Sequence, residues 1–285
     1  MDNTVWFGIL FCTASYFSTK LLKDLSKIQS AISTSQRTIH WGLGAAMLIQ
    51  TVFGTSILFV SSFKGGISEQ GLQCQIDGFA TSTTTFAIIN QFVLMCFASK
   101  VQIPKVLENN IGRFLALCWG VAVFLTCLPF FGIGKYIPHG NGSFCCLNWR
   151  SDNIYDQVYF YMMLLIAFII PSLLIGYSRT IQRDNTDNQV EPDNQDIKEA
   201  VVFPVALMFL SLWVPFGGAT MHSLSGFDTP GDVELLAVIF GLSSYVALPF
   251  ILCRQLPRYT DPSTERYEGF EIRRFRVCLH FLLFL

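Results

Sequence analysis

Long apolar blocks alternate with short polar segments along the whole chain. Seven blocks come close to the roughly 20 residues that an α-helix needs to cross a bilayer core about 30 Å thick. The pattern therefore predicts an all-α membrane protein, a bundle of seven transmembrane helices. The predicted spans are Val5–Leu22, Ile39–Phe63, Ile76–Ala98, Ile111–Phe131, Ile154–Ser178, Ala200–His222 and Val233–Cys253.

Composition supports the membrane prediction over the alternative of helices buried in a large soluble protein. Of the 285 residues, 52% are hydrophobic and 14% are charged, whereas soluble domains carry about 25% charged residues. The formal net charge of -1 gives no indication of nucleic acid as a partner. We find no metalloprotease, phosphate-loop, dinucleotide or zinc-spacing motif, so the sequence predicts neither an enzyme nor a metal site.

The distribution of Lys and Arg predicts the orientation in the membrane. With the N-terminus outside, 16 of the 19 basic residues fall on inner loops and the C-terminal tail. Only Lys64, Lys135 and Arg150 fall on the outer side. Because inner loops are enriched in Lys and Arg, we expect an extracellular N-terminus and a cytoplasmic C-terminus.

The segment 133–149, IGKYIPHGNGSFCCLNW, then lies outside, between the fourth and fifth spans. That compartment permits disulfides. Cys74, at the mouth of the third span, is the outer cysteine that could pair with this segment. We expect a Cys74–Cys145 bond; pairing with Cys146, or no pairing, are the alternatives.

An ordered set of motifs lies between residues 39 and 256. The set comprises Cys74-Gln-Ile-Asp77-Gly-Phe, Trp119 with Pro129 and FFGIGKYIPHG, Cys145-Cys146-Leu-Asn-Trp149, Phe168-Ile-Ile-Pro171 and Trp213-Val-Pro215-Phe216. Each motif alone is weak, but their order along the chain is specific. Together they resemble the opsin branch of the rhodopsin-like G-protein-coupled receptors.

The resemblance implies a β-hairpin lid that closes a ligand pocket. We expect strands at Tyr136–His139 and Phe144–Asn148, joined by a turn at residues 140–142. By the same resemblance, Trp213 is expected to form the pocket floor, and Phe216 and Phe240 its walls. Packing of these aromatic residues without a ligand role is the alternative.

The chain departs from opsins where retinal is attached. Opsins hold retinal as a Schiff base on a lysine seven residues before the proline of the seventh span, and here that position is Leu242. No lysine follows Lys198. Because a Schiff base requires a primary amine, we expect no covalent cofactor and allow retinal only as a non-covalent ligand.

The signalling motifs also depart from the family pattern. Leu248-Pro249 lacks the family's Asn, Ala98-Ser99-Lys100 replaces Glu/Asp-Arg-Tyr, and Met47 replaces the aspartate of the second span. These changes argue against ordinary G-protein activation and leave a heterotrimeric G protein open as a partner.

Asp77 is the one ionisable residue that clearly lies within an apolar block, and such groups are costly in a bilayer. In opsins this position is the counterion of the Schiff base. Here its partner could be Lys64, His139 or a cationic ligand; a hydrated or protonated carboxyl is the alternative. His139 could bind an anion if protonated, or pack as a neutral ring in the lid.

The sequence thus predicts an opsin-like receptor in contact with membrane lipid, with a small apolar or cationic ligand. A scaffold without signalling is the alternative from another class. We divide the chain into a receptor domain, 1–256, and a cytoplasmic tail, 257–285. The tail ends in EIRRFRVCLHFLLFL, whose basic-then-apolar pattern predicts a segment on the membrane surface.

Overall fold

A computed structural model describes residues 3–27, 34–63, 67, 71–98, 110–186 and 194–255. Within these ranges the chain forms seven helices that are long and apolar enough to cross a membrane. This confirms the predicted all-α, seven-span fold. The predicted tail, Lys64, Ser99 and Lys100 lie outside the described residues.

We number the spans 1 to 7 in chain order. Spans 2 and 5 each contain a π-helical stretch, and span 4 ends in a 3₁₀ turn. The helices are Asn3–Lys27 (span 1), Thr34–Ile49 and Ser56–Phe63 around the π stretch Gln50–Thr55 (span 2), Leu72–Ala98 (span 3), Ile111–Cys127 with the turn Leu128–Phe131 (span 4), Ile154–Leu164 and Ile170–Thr186 around the π stretch Leu165–Ile169 (span 5), Asn194–Leu224 (span 6) and Gly231–Gln255 (span 7).

Span 3 is the central helix of the bundle. It contacts spans 2, 4, 5 and 6 and both strands of the hairpin. Its helix begins at Leu72, four residues before the predicted start at Ile76. The hydropathy pattern missed the first turn because residues 73 and 75 are polar. Asp77 consequently lies in the second turn of the helix rather than at its end.

The β-hairpin is present between spans 4 and 5. Strand β1, Tyr136–His139, pairs antiparallel with strand β2, Phe144–Leu147, so that His139 lies opposite Phe144. The predicted second strand was one residue too long, at Asn148. Positive φ angles at Gly140, Asn141 and Gly142 form the connecting turn.

A disulfide joins Cys74 of span 3 to Cys145 of β2, as the sequence predicted, and Cys146 is a free thiol. The hairpin approaches span 3 closely at a second point. A side chain at Gly78 would collide with the ring of Tyr136. The hydroxyl of Tyr136 donates a hydrogen bond to the backbone carbonyl of Thr126 at 2.9 Å. The covalent bond and this contact hold the hairpin over the bundle.

Candidate functional site

A cavity of about 140 Å³ lies beneath the hairpin. Its walls come from β2 and from spans 2, 3, 5, 6 and 7, and they are mainly aromatic and aliphatic. The residues that carry the argument below are Asp77, Thr81, Thr85, Phe144, Cys146, Trp149, Trp213, Phe216 and Leu242. Such a concave, apolar site with few polar groups is typical of small-molecule binding.

Asp77 is the acidic residue of this cavity. It is only 1% exposed, which argues against the alternative of a water-exposed carboxyl at a helix end. Its Oδ2 accepts a hydrogen bond from the backbone N–H of Cys145 at 2.9 Å, so the disulfide and this bond fix β2 against span 3 at the same point. Among the described residues, Oδ1 has no hydrogen-bond partner.

Leu242 lines the same cavity from span 7 and is 1% exposed. The structure therefore brings Asp77 and Leu242 to the same cavity. The side chain of leucine offers no amine, and no lysine lines the cavity in the described part of the chain.

The predicted aromatic residues are only partly brought together. Trp213 and Phe216 line the cavity, with ring centroids 5.8 Å apart. Gly241 allows this packing, because a Cβ there would lie 2.9 Å from the ring of Trp213. Phe240 does not line the cavity and packs against Met208 and its neighbours. Two residues apart on a helix are about 200° apart, so Phe240 cannot share the direction of Leu242.

His139 also lies behind the cavity wall rather than on it. Its ring stacks on Trp149 with centroids 3.8 Å apart, and Trp149 separates it from the ligand space. Burial, reinforced by the positive charge of Arg150, lowers the pKa of His139 to about 3. The ring is therefore neutral at physiological pH, which favours the packing role over the anion-binding role.

Arg150 joins the hairpin side to spans 6 and 7, a contact that the sequence did not reveal. Its Nη2 lies 2.7 Å from Oε1 of Glu234, whose side chain is 4% exposed. Its Nε donates to Ser223 at 2.7 Å and Nη2 also donates to the carbonyl of Thr229 at 3.2 Å. Glu234 accepts in addition from the N–H of Gly140 at 3.2 Å. We call this set the Arg150 clasp.

A second polar group, which we call the Gln50 network, lies between spans 2, 3 and 7. Gln50 donates to Thr81 at 3.0 Å and accepts from Thr84 at 2.9 Å. The hydroxyl of Tyr245 lies 2.7 Å from Thr85 and 3.2 Å from Thr84. The threonine run at 81–85 was the available sequence signal, but it did not indicate the partners.

Cys146 adds a thiol to the cavity wall. Burial, together with the negative charges of Glu234 and Asp77, raises its pKa well above the ordinary thiol value, so it is protonated. Among the described residues there is no group of three or more His, Cys, Asp or Glu that could hold a metal ion.

Comparisons with known proteins agree with this architecture. No family model matches the chain. The chain is 21% identical over 257 residues to a G0-coupled rhodopsin of Mizuhopecten yessoensis, covering 82% of this chain and 64% of the relative. It is 27% identical over 250 residues to a GQ-coupled rhodopsin of the same organism, covering 77% and 50%. Opsin-3 of Mus musculus is 22% identical over 222 residues, covering 72% and 55%.

The chain thus spans between half and two thirds of the length of these relatives. In structure it matches the crystal structure of squid rhodopsin with a TM-score of 0.78 and 15% identity. The match covers 92% of this chain and 85% of the squid chain. The likeness establishes the fold, and the homologues of the chain are opsins.

Proposed function

We propose that this opsin-like, seven-transmembrane G-protein-coupled receptor binds an apolar ligand non-covalently in the cavity beneath its hairpin. The observation that carries the proposal is the cavity itself, which is lined by Asp77 and Leu242. The similarity of the chain to rhodopsins and opsins supports a ligand-binding rather than a catalytic role for this cavity.

Retinal is the first ligand to consider, since the homologues are opsins. Trp213, Phe216 and Phe144 offer aromatic surface to a polyene, and burial of apolar area drives such binding. Without a lysine the aldehyde cannot form an imine with the cavity wall. Retinal would therefore bind through apolar contact, and it would remain an aldehyde.

The orientation proposed is N-terminus outside. It is supported by the uneven distribution of basic residues and by the disulfide, which lies at the hairpin end of the bundle and needs an oxidising compartment. The opposite end then faces a heterotrimeric G protein. At that end Leu248-Pro249 stands where the family has Asn-Pro, and we propose that coupling is weak for this reason.

The test is an absorption spectrum of the purified protein incubated with 11-cis-retinal, with a Leu242→Lys variant beside it. We expect the unmodified protein to give a band near that of free retinal that cannot be trapped by acid. We expect the Leu242→Lys variant to form a red-shifted, acid-trappable band, because the new amine would face bound retinal near Asp77.

A red-shifted, acid-trappable band in the unmodified protein would show that a Schiff base forms elsewhere, and the proposal would be wrong. No band change in Leu242→Lys, together with no thermal stabilisation by retinal, would exclude retinal from the cavity. If other apolar ligands also failed to stabilise the protein, the scaffold alternative would be favoured.

A further inference from the structure

We infer that the cavity is built for a cationic ligand: an apolar amine whose protonated nitrogen pairs with Asp77. This inference rests on the proposed function, since it names the chemical class of the ligand for the same site. It is carried by three features of the site: the open carboxylate oxygen, the lack of a cation in the cavity wall and the aromatic surroundings.

The carboxyl of Asp77 is half satisfied. Oδ2 accepts from the N–H of Cys145 at 2.9 Å, whereas Oδ1 has no partner among the described residues. A buried polar atom without a hydrogen bond costs about 1–3 kcal/mol, and more when the group is charged. A ligand that donates to Oδ1 therefore recovers free energy that the unliganded site lacks.

The described wall of the cavity contains no Lys, Arg or His. Arg150, a cationic residue on the hairpin side, is already engaged with Glu234 at 2.7 Å. His139 is neutral and lies behind Trp149. Lys64 lies outside the described residues, so it enters the experiment as a variant. A positive charge that pairs with this buried carboxyl would then come with the ligand.

The aromatic residues favour the same class of ligand. Phe216 is the centre of an aromatic cluster, with ring centroids 5.7 Å from Trp149, 5.8 Å from Trp213 and 6.5 Å from Phe144. All four rings line the cavity with Asp77. Aromatic faces attract ammonium groups, most strongly where water is excluded, and they pack against the apolar body of the ligand.

The experiment compares two probes of nearly equal shape, 4-phenylbutylamine and 4-phenylbutan-1-ol, at pH 7. Binding is followed by tryptophan fluorescence, to which Trp149 and Trp213 of the cavity wall contribute, and by the shift of the thermal unfolding midpoint. We expect the amine to bind at least tenfold more tightly than the alcohol. The preference should disappear in Asp77→Asn and persist in Lys64→Gln.

Asp156→Asn is the matched control. Asp156 is also a buried aspartate at the hairpin end, but it accepts from Ser151 at 2.7 Å and does not line the cavity. The preference for the amine should be unchanged in this variant. If Asp77→Asn does not fold, Asp77→Ser and the comparison of the two probes on the unmodified protein still decide the question.

Equal binding of the amine and the alcohol would overturn the inference while leaving the cavity as a binding site. A tenfold preference that survives in Asp77→Asn would overturn it as well, because the cation would then be recognised elsewhere. Thermal stabilisation by retinal, without tighter binding of the amine than of the alcohol, would contradict the inference about a cationic ligand. It would not contradict the proposed function. Failure of the amine, the alcohol and retinal to bind would reject the proposed function together with it.

Discussion

Asp77 and the Gln50 network are two buried polar regions of the same bundle, and they are satisfied to different degrees. In the Gln50 network, the amide of Gln50 is bound at both ends and the hydroxyl of Tyr245 contacts two threonines. At Asp77, one carboxyl oxygen accepts a hydrogen bond and the other has no partner among the described residues. Both regions include residues of span 3, within a few turns of each other.

The difference separates polar residues that stabilise the fold from a polar residue that is available to a ligand. A fully bonded network adds stability and fixes the packing of spans 2, 3 and 7, and a ligand has little to offer it. A half-bonded carboxyl beside an apolar cavity remains costly until something binds there. The disulfide and the Arg150 clasp hold the hairpin in place at this end of the bundle.

The largest effect should come from Arg150→Gln. Glu234 would lose the charge 2.7 Å from its buried carboxylate. Removing one partner of an ion pair destabilises a protein most when both partners are fully buried. Because the side chain of Arg150 is 41% exposed, water screens this pair, and we expect destabilisation by about 2 kcal/mol. Faster cleavage of the hairpin by protease and a lower thermal midpoint would show that the clasp holds the hairpin to spans 6 and 7.

Lys135→Gln provides the control, because it removes a positive charge at an exposed position of the same loop. In the double variant Arg150→Gln with Glu234→Gln, stability should be partly recovered, since the unpaired carboxylate is gone. Additive losses in the double variant would mean that the two residues act independently and that the clasp does not exist as a unit.

The next effect is a pH dependence through His139. Its pKa is about 3 in the folded protein and about 6.5 when unfolded. Between these values the unfolded chain binds the proton and the folded chain does not, so stability falls as pH is lowered from 6.5 towards 3. At pH 5.5 the loss should be about 1.4 kcal/mol relative to neutral pH.

His139→Gln should remove this part of the pH dependence, as measured by thermal unfolding between pH 7.5 and 5.5. Glu234 lies 4.0 Å from Nδ1 of His139 and 2.7 Å from Nη2 of Arg150. His222→Gln, at an exposed position, should retain the dependence. An identical acid destabilisation in His139→Gln would assign the effect to another group.

Sequence patterns predicted the elements of this fold better than the partners of its polar side chains. The seven spans follow from hydropathy, the Cys74–Cys145 bond from the outer positions of the two cysteines, and the hairpin from the resemblance to opsins. Arg150 and Glu234, by contrast, are 84 residues apart, and nothing local to either residue indicates the other. Burial of His139 behind Trp149 likewise depends on how the hairpin folds over the bundle.

Phe240 shows a different limit of prediction. The residue lies on the correct span, two positions before Leu242, and a list of aromatic residues could not separate the two faces of an apolar helix. Because span 7 is apolar around most of its circumference, its hydropathy does not show which side meets the cavity. The orientation of that helix became clear only from its packing against spans 1 and 6.

The smallest effect should come from Tyr245→Phe. The change removes a hydroxyl that lies 2.7 Å from Thr85 and 3.2 Å from Thr84 without creating a cavity. Hydrogen bonds between membrane helices contribute about 0.6 kcal/mol on average, and we expect a loss of that order. The preference for 4-phenylbutylamine over the alcohol should not change, since the open carboxylate oxygen of Asp77 remains.

Tyr155→Phe, at a position that is 76% exposed, should leave both stability and binding unaltered. Thr85 lines the cavity as well as contacting Tyr245, so the two regions could be coupled through its hydroxyl. If Tyr245→Phe weakened amine binding more than it weakened the fold, the Gln50 network would be part of the binding site. The contrast between a structural and a functional polar region would then not hold, and Thr85 would be the residue that joins them.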